Sequence, residues 1–140
     1  MNTTVSILII RNNKYLLQHR DNKDSIAYPN TYGVWGGAVE KQDLSNEAAA
    51  IRELKEETGL IIKASELIFF GTAVWDGSAP QEIGKQVRFY YYALHVQPHT
   101  KLSVYEGQGC VELSIPYIRN SMTNMVTEAI IKQYEGHKIE

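Results

Sequence analysis

The sequence is poor in cysteine, lacks a long hydrophobic run and carries no large excess of charge of either sign. Cys110 is the single cysteine among 140 residues, which excludes an intrachain disulfide and a zinc site built from several cysteines. The longest early apolar run, residues 6–10, is far shorter than the roughly 20 residues that cross a bilayer. The basic, apolar and small-residue order of a secretion signal is also missing. We therefore expect a cytoplasmic protein with no membrane partner.

Charge and length narrow the class further. Fourteen basic and sixteen acidic side chains give a net charge of −2. This balance argues against nucleic acid as a partner, because proteins that bind the phosphates of a nucleic acid usually carry an excess of positive charge. An apolar fraction of 44% is typical of a globular chain. The length fits one domain over residues 1–140 without disulfides or structural metals.

Hydrophobic patterning predicts a mixed sheet covered by helices, an α/β fold of the α/β/α sandwich type. The predicted strands are residues 4–10, 15–20, 31–35, 67–75, 87–96 and 111–115, and the predicted helices are residues 46–58 and 123–134. Two asparagines between the first strands suit a turn with positive φ. The third strand is predicted to stop at Gly36 and Gly37. Ser45 is a good N-cap for the first helix, and Gly59 is a good left-handed C-cap.

The first predicted helix carries an acidic cluster. At about 100° per residue, the side that can pack on the sheet holds Ala50, Ile51, Leu54 and Thr58, and a neighbouring side holds Glu53, Glu56 and Glu57 around an open position at Ala49. Such carboxylates repel by roughly 0.2–0.5 kcal/mol per pair, and Arg52 offsets part of this repulsion. An isolated acidic triplet is ordinarily a solvated helix face. Here two preceding glycines allow a backbone carbonyl to approach closely, and such oxygen donors suit Mg²⁺ or Mn²⁺ bound to a phosphate.

Residues 37–60 resemble the Nudix box, the signature of the Nudix hydrolase family. The family pattern is Gly, five residues, Glu, seven residues and then Arg-Glu-U-x-Glu-Glu-x-Gly-U, where U is a bulky aliphatic residue. The second part matches without a gap from Arg52 to Leu60. The box covers about a sixth of the chain, and the order of predicted elements extends the resemblance to the rest.

The first part of the box departs from the pattern. Gly37 is followed by five residues and then by Asp43 instead of Glu, and eight residues separate Asp43 from Arg52. Counting back from Arg52 places Leu44 in the Glu slot and Ala38 in the Gly slot. We favour a one-residue insertion in the loop, with Asp43 in the first Glu slot.

The resemblance implies a role for each matched residue. Glu56 and Glu57 would bind the catalytic Mg²⁺ or Mn²⁺, and Glu53 would bind a metal or act as general base. Arg52 would hold the loop and orient the carboxylates, and Gly37 would offer its carbonyl to a metal. In such enzymes water attacks a phosphorus atom of a nucleoside diphosphate that is linked to another group.

Several residues outside the box are candidates for the site. The resemblance implies that Arg20 contacts the substrate phosphate, with a plain surface charge as the alternative. The candidates for stacking on a base are Trp35, Tyr32, Phe70, Trp75 and Tyr90 to Tyr92, and for each one packing in the core is favoured over stacking. The resemblance implies a further metal carboxylate outside the box, and Glu106 is the preferred candidate because residues 106–109 are typical of a flexible loop before a strand; an ordinary exposed acid is the alternative. The other acidic candidates are Asp76, Glu82 and Glu112.

Two functions from different classes fit this pattern. The favoured one is a divalent-metal-dependent pyrophosphohydrolase that cleaves a small nucleotide. The alternative is a Nudix-like module that binds or senses a nucleotide without cleaving it, and the departures around Asp43 are its only support. Work on RNA ends fits the balanced charge less well. A monomer and a homodimer are both open.

Overall fold

The computed structural model describes residues 2–77, 82–114 and 123–139, with side chains through residue 137. The elements are β1 (Asn2–Arg11), β2 (Lys14–His19), β3 (Tyr32–Gly33), β4 (Trp35–Ala38), α1 (Asn46–Thr58), a 3₁₀ turn (Ala64–Glu66), β5 (Ile68–Asp76), β6 (Gln86–His95), β7 (Gly109–Leu113) and α2 (Met125–Ile139). Residue 115, predicted to end a strand, lies outside the described residues, as do residues 78–81 of a predicted loop. No helix in the described ranges is long and apolar enough to span a membrane.

One mixed sheet forms the middle layer, in the order β3-β2-β1-β6-β5. Strands β1 and β6 are parallel, and the other neighbours pair antiparallel. One edge of β1 is shared, because its first half pairs with β4 and its last residues pair with β2. On this side of β1 the sheet therefore divides into two branches, one that continues through β4 and one that continues through β2.

Residues 5–10 of β1 are all buried, as expected for a central strand covered on both faces. Alternate side chains enter two cores. Leu8 and Ile10 pack with α2, and Val5, Ile7 and Ile9 pack with α1. The predicted α/β/α sandwich is confirmed.

The predicted third strand is divided, and its predicted end is wrong. Strand β4 runs through both glycines to Ala38. Gly36 has φ 134°, and a Cβ atom there would collide with the backbone carbonyl of Val5. The glycine therefore allows β4 to approach β1 closely instead of ending the strand.

Helix α1 has the bounds that the sequence predicts. Ser45 Oγ accepts a hydrogen bond from Ala48 N at 3.0 Å, and Gly59 ends the helix with φ 75°. The predicted faces need one correction. Ala49, expected at an open position, is fully buried, whereas Ile51 is only half-buried. The helix is rotated so that Glu57 also faces the sheet.

Candidate active site

The three glutamates of α1 occupy different environments. Glu57 is 3% exposed, and its Oε1 accepts a hydrogen bond from Gly36 N at 2.9 Å. Burial raises the pKa of Glu57 to about 8. The Gly36 N–H opposes this shift, and the negative charges of Glu53 and Glu106 add to it. Glu57 is therefore a carboxyl held inside the protein against the strand that carries the glycines.

Glu53 lies beside Gly37, and its side chain is 12% exposed. A Cβ atom on Gly37 would lie 2.6 Å from Glu53 Oε1, so only glycine leaves room for this carboxylate. Burial is the main cause that raises the pKa of Glu53, and the charge of Arg52 opposes it. Glu56, by contrast, has a side chain that is 51% exposed and lies 3.4 Å from Arg52 Nη1. Two carboxylates thus line the edge of β4, and the third lies at the surface beside them.

Arg52 organises the loop between β4 and α1. Its Nε and Nη2 donate to the two carboxylate oxygens of Asp43, each at 2.9 Å. Its Nη2 also donates to Ala38 O at 3.1 Å, and its Nη1 donates to Glu53 Oε1 at 3.0 Å. This bidentate pairing lowers the pKa of Asp43, and a hydrogen bond from Glu40 N acts in the same direction. Asp43 thus meets Arg52 despite the extra residue in the loop.

The backbone of β4 turns alternate polar atoms toward β1 and toward α1. Val39 N donates to Thr3 O at 2.9 Å. Hydrogen-bonded pairs recur every second residue in an antiparallel ladder, so the next pair joins Gly37 to Val5. The Gly37 carbonyl therefore faces β1, which does not support its expected contact with a metal. The Gly36 carbonyl shares a peptide plane with Gly37 N–H and points the other way, toward α1.

Glu106 comes close enough to the site for its charge to act on Glu53, Glu57 and Arg20. Its segment is held by Tyr105 N, which donates to the backbone carbonyl of Glu57 at 2.9 Å. The other acidic candidates lie elsewhere. Glu112 forms a 3.0 Å ion pair with Arg11, and Asp76 and Glu82 line the cleft described next. Of the four acidic candidates, Glu106 is the one whose charge acts on the α1 carboxylates.

A cleft of about 320 Å³ opens on the α2 face of the sheet and reaches β4. Its lining includes Gly36, Gly37 and part of the loop of residues 21–30, which we call the cleft loop. Arg20 enters the cleft after β2, and its Nε donates to Ala27 O at 2.9 Å. Burial lowers the pKa of Arg20, and the negative charge of Glu57 opposes this shift. The arginine is thus a half-buried cation at the cleft, close enough to the acidic side chains to feel the charges of Glu57 and Glu106.

The expected stacking residues need correction. Trp35 is 1% exposed, and its Nε1 donates to Leu16 O at 2.9 Å, so its ring belongs to the core. Tyr32 packs edge-on against His19, with ring centroids 5.0 Å apart, and does not line the cleft. Successive side chains along a strand point to opposite faces of the sheet, but the sequence does not show which face another element covers.

Besides Trp35, the aromatic residues that line the cleft are Trp75, Phe89 and Tyr28, and Trp75 is one of the stacking candidates. Trp75 Nε1 donates to Tyr91 Oη at 2.9 Å, which fixes the indole ring. Asn124 and Thr127, at the start of α2, also line the cleft and were missed by sequence reasoning. An Asn directly before an apolar helix was an available capping signal, but only the fold brings it to the cleft.

The donor set suits a hard divalent cation, because it consists of carboxylate and carbonyl oxygens on one edge of β4. As the side chains stand, no three carboxylate, imidazole or thiol groups in the described part of the chain are gathered closely enough to hold one ion. Glu56 is paired with Arg52, and Glu57 is bonded to Gly36. These bonds hold two of the carboxylates apart.

Comparison with known proteins agrees with this architecture. The profile of the NUDIX domain matches residues 1–114. A MutT NUDIX hydrolase from Burkholderia pseudomallei is 17% identical with a TM-score of 0.74, covering 94% of this chain and 96% of that one. The dihydroneopterin triphosphate pyrophosphohydrolase of E. coli is 17% identical with a TM-score of 0.74, and the coverages are 94% and 93%.

A third similar structure is a bifunctional NMN adenylyltransferase/ADP ribose pyrophosphatase from Francisella tularensis, complexed with AMP and a manganese ion. It is 19% identical with a TM-score of 0.68, covering 94% of this chain and 40% of that one. No protein of curated function matches the chain in sequence. Because the domain profile covers most of the chain and the sheet and helices have the matching arrangement, the chain belongs to the Nudix family of hydrolases, which act on phosphoanhydride bonds.

Proposed function

We propose that this chain is a divalent-metal-dependent pyrophosphohydrolase of a small nucleotide. The observation that carries the proposal is the position of Glu53 and Glu57 on the edge of β4, beside a cleft that Arg20 also enters. A half-buried cation next to largely buried carboxylates is the arrangement needed to bind a polyphosphate and its metal together. The nucleotide-processing enzymes among the similar structures support a substrate of this class.

The residues of the site divide the work. Glu53, Glu56, Glu57 and Glu106, with a carbonyl of the glycine pair, would hold Mg²⁺ or Mn²⁺. The bound ion would neutralise phosphate charge and lower the pKa of water. Arg20 binds a phosphate oxygen in the cleft, and Arg52 keeps the acidic side chains in place through Asp43.

The chemical step is attack of water on phosphorus. The oxygen of water forms a bond to phosphorus, the bond from that phosphorus to the bridging oxygen breaks, and the water proton passes to a base. Glu53 is the candidate base, with metal binding as its alternative role. Burial of Glu53 raises its pKa, which makes the carboxylate a stronger base than an ordinary exposed one. Most of the acceleration then comes from positioning and charge neutralisation.

The alternative, a module that binds a nucleotide without cleaving it, loses its main support at Asp43. The departure from the family pattern there left the loop in doubt. The bidentate pairing of Asp43 with Arg52 holds this loop against α1 in spite of the departure. Retention of all three α1 glutamates also favours hydrolysis.

A substrate panel tests the proposal. Nucleoside triphosphates, nucleotide sugars, ADP-ribose and dinucleoside polyphosphates are incubated with Mg²⁺, with Mn²⁺ or with EDTA, and products are separated by chromatography. We expect metal-dependent cleavage of a phosphoanhydride in at least one class. Tight binding of a nucleotide with no turnover in either metal would favour the binding module instead.

Matched acid-to-amide variants assign the effect. Glu56→Gln and Glu57→Gln should lower kcat by at least about a hundredfold, while circular dichroism shows a folded chain. Glu112→Gln is the control, since Glu112 pairs with Arg11 away from the acidic cluster. Wild-type turnover in both α1 variants would remove these glutamates from the mechanism.

A further inference from the structure

Residues 106–108 form a short bridge at the end of β2, directly before β7. Gln108 N donates to His19 O at 2.6 Å, and Gln18 Nε2 donates to Glu106 O at 2.9 Å. Gly107 between them has φ 91°, and a Cβ there would lie 2.7 Å from His19 O. The bridge is therefore fixed against β2 by its backbone at both ends, and its middle position favours glycine.

The side chain of Gln108 reaches from this bridge to both ends of the cleft loop. Its Nε2 donates to Arg20 O at 2.8 Å and to Asn30 Oδ1 at 2.9 Å. His19 Nε2 lies 2.9 Å from the same Asn30 oxygen. The loop ends are also paired to each other through Asn30 N, which donates to Asp21 O at 3.0 Å. One amide group thus ties the start and the end of the cleft loop together.

The same bridge carries Glu106, whose charge acts on the α1 carboxylates and on Arg20. The cleft loop holds the Arg20 side chain through Ala27 O. A single short segment therefore carries the fourth acid of the site and is bonded to the backbone carbonyl of Arg20. None of these contacts belongs to the residues that match the Nudix box.

We propose that Gln108 is a positioning residue that couples the closed shape of the cleft loop to the placement of Glu106, and thereby couples substrate binding to metal binding. This inference rests on the proposed function. Because the two bonds from Gln108 are exposed, their loss should leave the fold intact but weaken the tie between the loop ends, which would keep only the pairing of Asn30 N with Asp21 O and their bonds to neighbouring residues. Glu106 would then be held by the bonds of its segment to β2, without the side-chain link to the cleft loop.

Gln108→Ala tests the coupling by two measurements that do not need turnover. Trypsin cleavage after Lys23, an exposed residue of the cleft loop, should become several-fold faster as the loop opens. Binding of Mn²⁺, followed by the electron paramagnetic resonance of the free ion, should weaken by about tenfold. Gln133→Ala is the matched control. Gln133 Nε2 also donates to a backbone carbonyl, that of Phe70, but away from the cleft.

Asn30→Gly provides a second variant if the first fails to fold. It removes one acceptor of Gln108, and glycine accepts the φ of 59° at this position. We expect a smaller effect in the same direction, and the double variant should equal Gln108→Ala in Mn²⁺ affinity. Faster loop cleavage with unchanged Mn²⁺ binding would overturn the coupling, as would wild-type behaviour in both measurements. A protein that shows both effects but cleaves no nucleotide would contradict the proposed function alone.

Discussion

Substitution of Gly37 by alanine should impair the active site with little effect on the stability of the fold. The new Cβ would lie 2.6 Å from Glu53 Oε1 and 2.7 Å from Glu53 Cδ. Ordinary carbon contacts begin at about 3.5 Å, so the carboxylate must move by roughly 1 Å. Because the Glu53 carboxylate is the far end of a flexible side chain, this movement costs little folding stability. A displacement of about 1 Å in a reacting centre can cost about a hundredfold in rate.

The assay compares Gly37→Ala with Gly36→Ala. We expect the first variant to unfold within a few degrees of the wild type and to lose about a hundredfold in kcat. The second should lose stability, because its φ of 134° alone costs about 1–3 kcal/mol in a non-glycine residue and its Cβ meets the Val5 backbone. Wild-type kcat in Gly37→Ala would refute the reasoning that Glu53 acts from this position.

Three further outcomes follow from the same geometry. In EDTA, the melting temperature should fall as pH rises from about 4.5 to about 8, because folding raises the pKa of Glu57 over that interval and the folded state binds its proton more tightly. Glu57→Gln should reduce this slope and leave the smaller contribution of Glu53, whose pKa is also raised, and an unchanged slope would assign the effect to another group. Asp43→Ala should weaken Mn²⁺ binding by about tenfold through the loss of the Arg52 pairing, with Asp43→Glu retaining part of it; equal affinity in wild type and Asp43→Ala would deny Asp43 this role. Trp75→Leu should raise KM for a nucleotide, whereas Trp35→Phe should lower the melting temperature and leave KM unchanged, and the reverse pattern would place the base elsewhere.

The features that sequence predicts well are those that neighbouring residues determine. Helix α1 has the predicted ends because Ser45 caps its N-terminus and Gly59 adopts the left-handed conformation. The turn between the first strands likewise has positive φ at Asn12 and Asn13, as predicted from the asparagines. In each case the cause lies within a few residues along the chain.

The features that were wrong depend on which face of an element another element covers. Trp35 was a candidate for stacking on a base, but its ring lies in the core on the face of the sheet that α1 covers. Ala49 was assigned to an open position on a helical wheel, which gives relative directions but not the rotation of the helix against the sheet. The direction of the Gly37 carbonyl depends on the register between β4 and β1, and the residues near Gly37 in the sequence do not determine that register.

The sharing of one edge of β1 between β4 and β2 has a consequence for how freely the cleft loop can change in sequence. The backbone of β1 bonds to β4 through its first half and to β2 through its last residues. The cleft loop, which follows β2, therefore takes no part in the strand pairing of β1. Substitutions in that loop therefore leave the pairing of β1 with β4 intact, and α1 keeps the strand against which its acidic side chains lie. What such substitutions can alter is the set of bonds to Gln108, by which the loop meets the segment that carries Glu106.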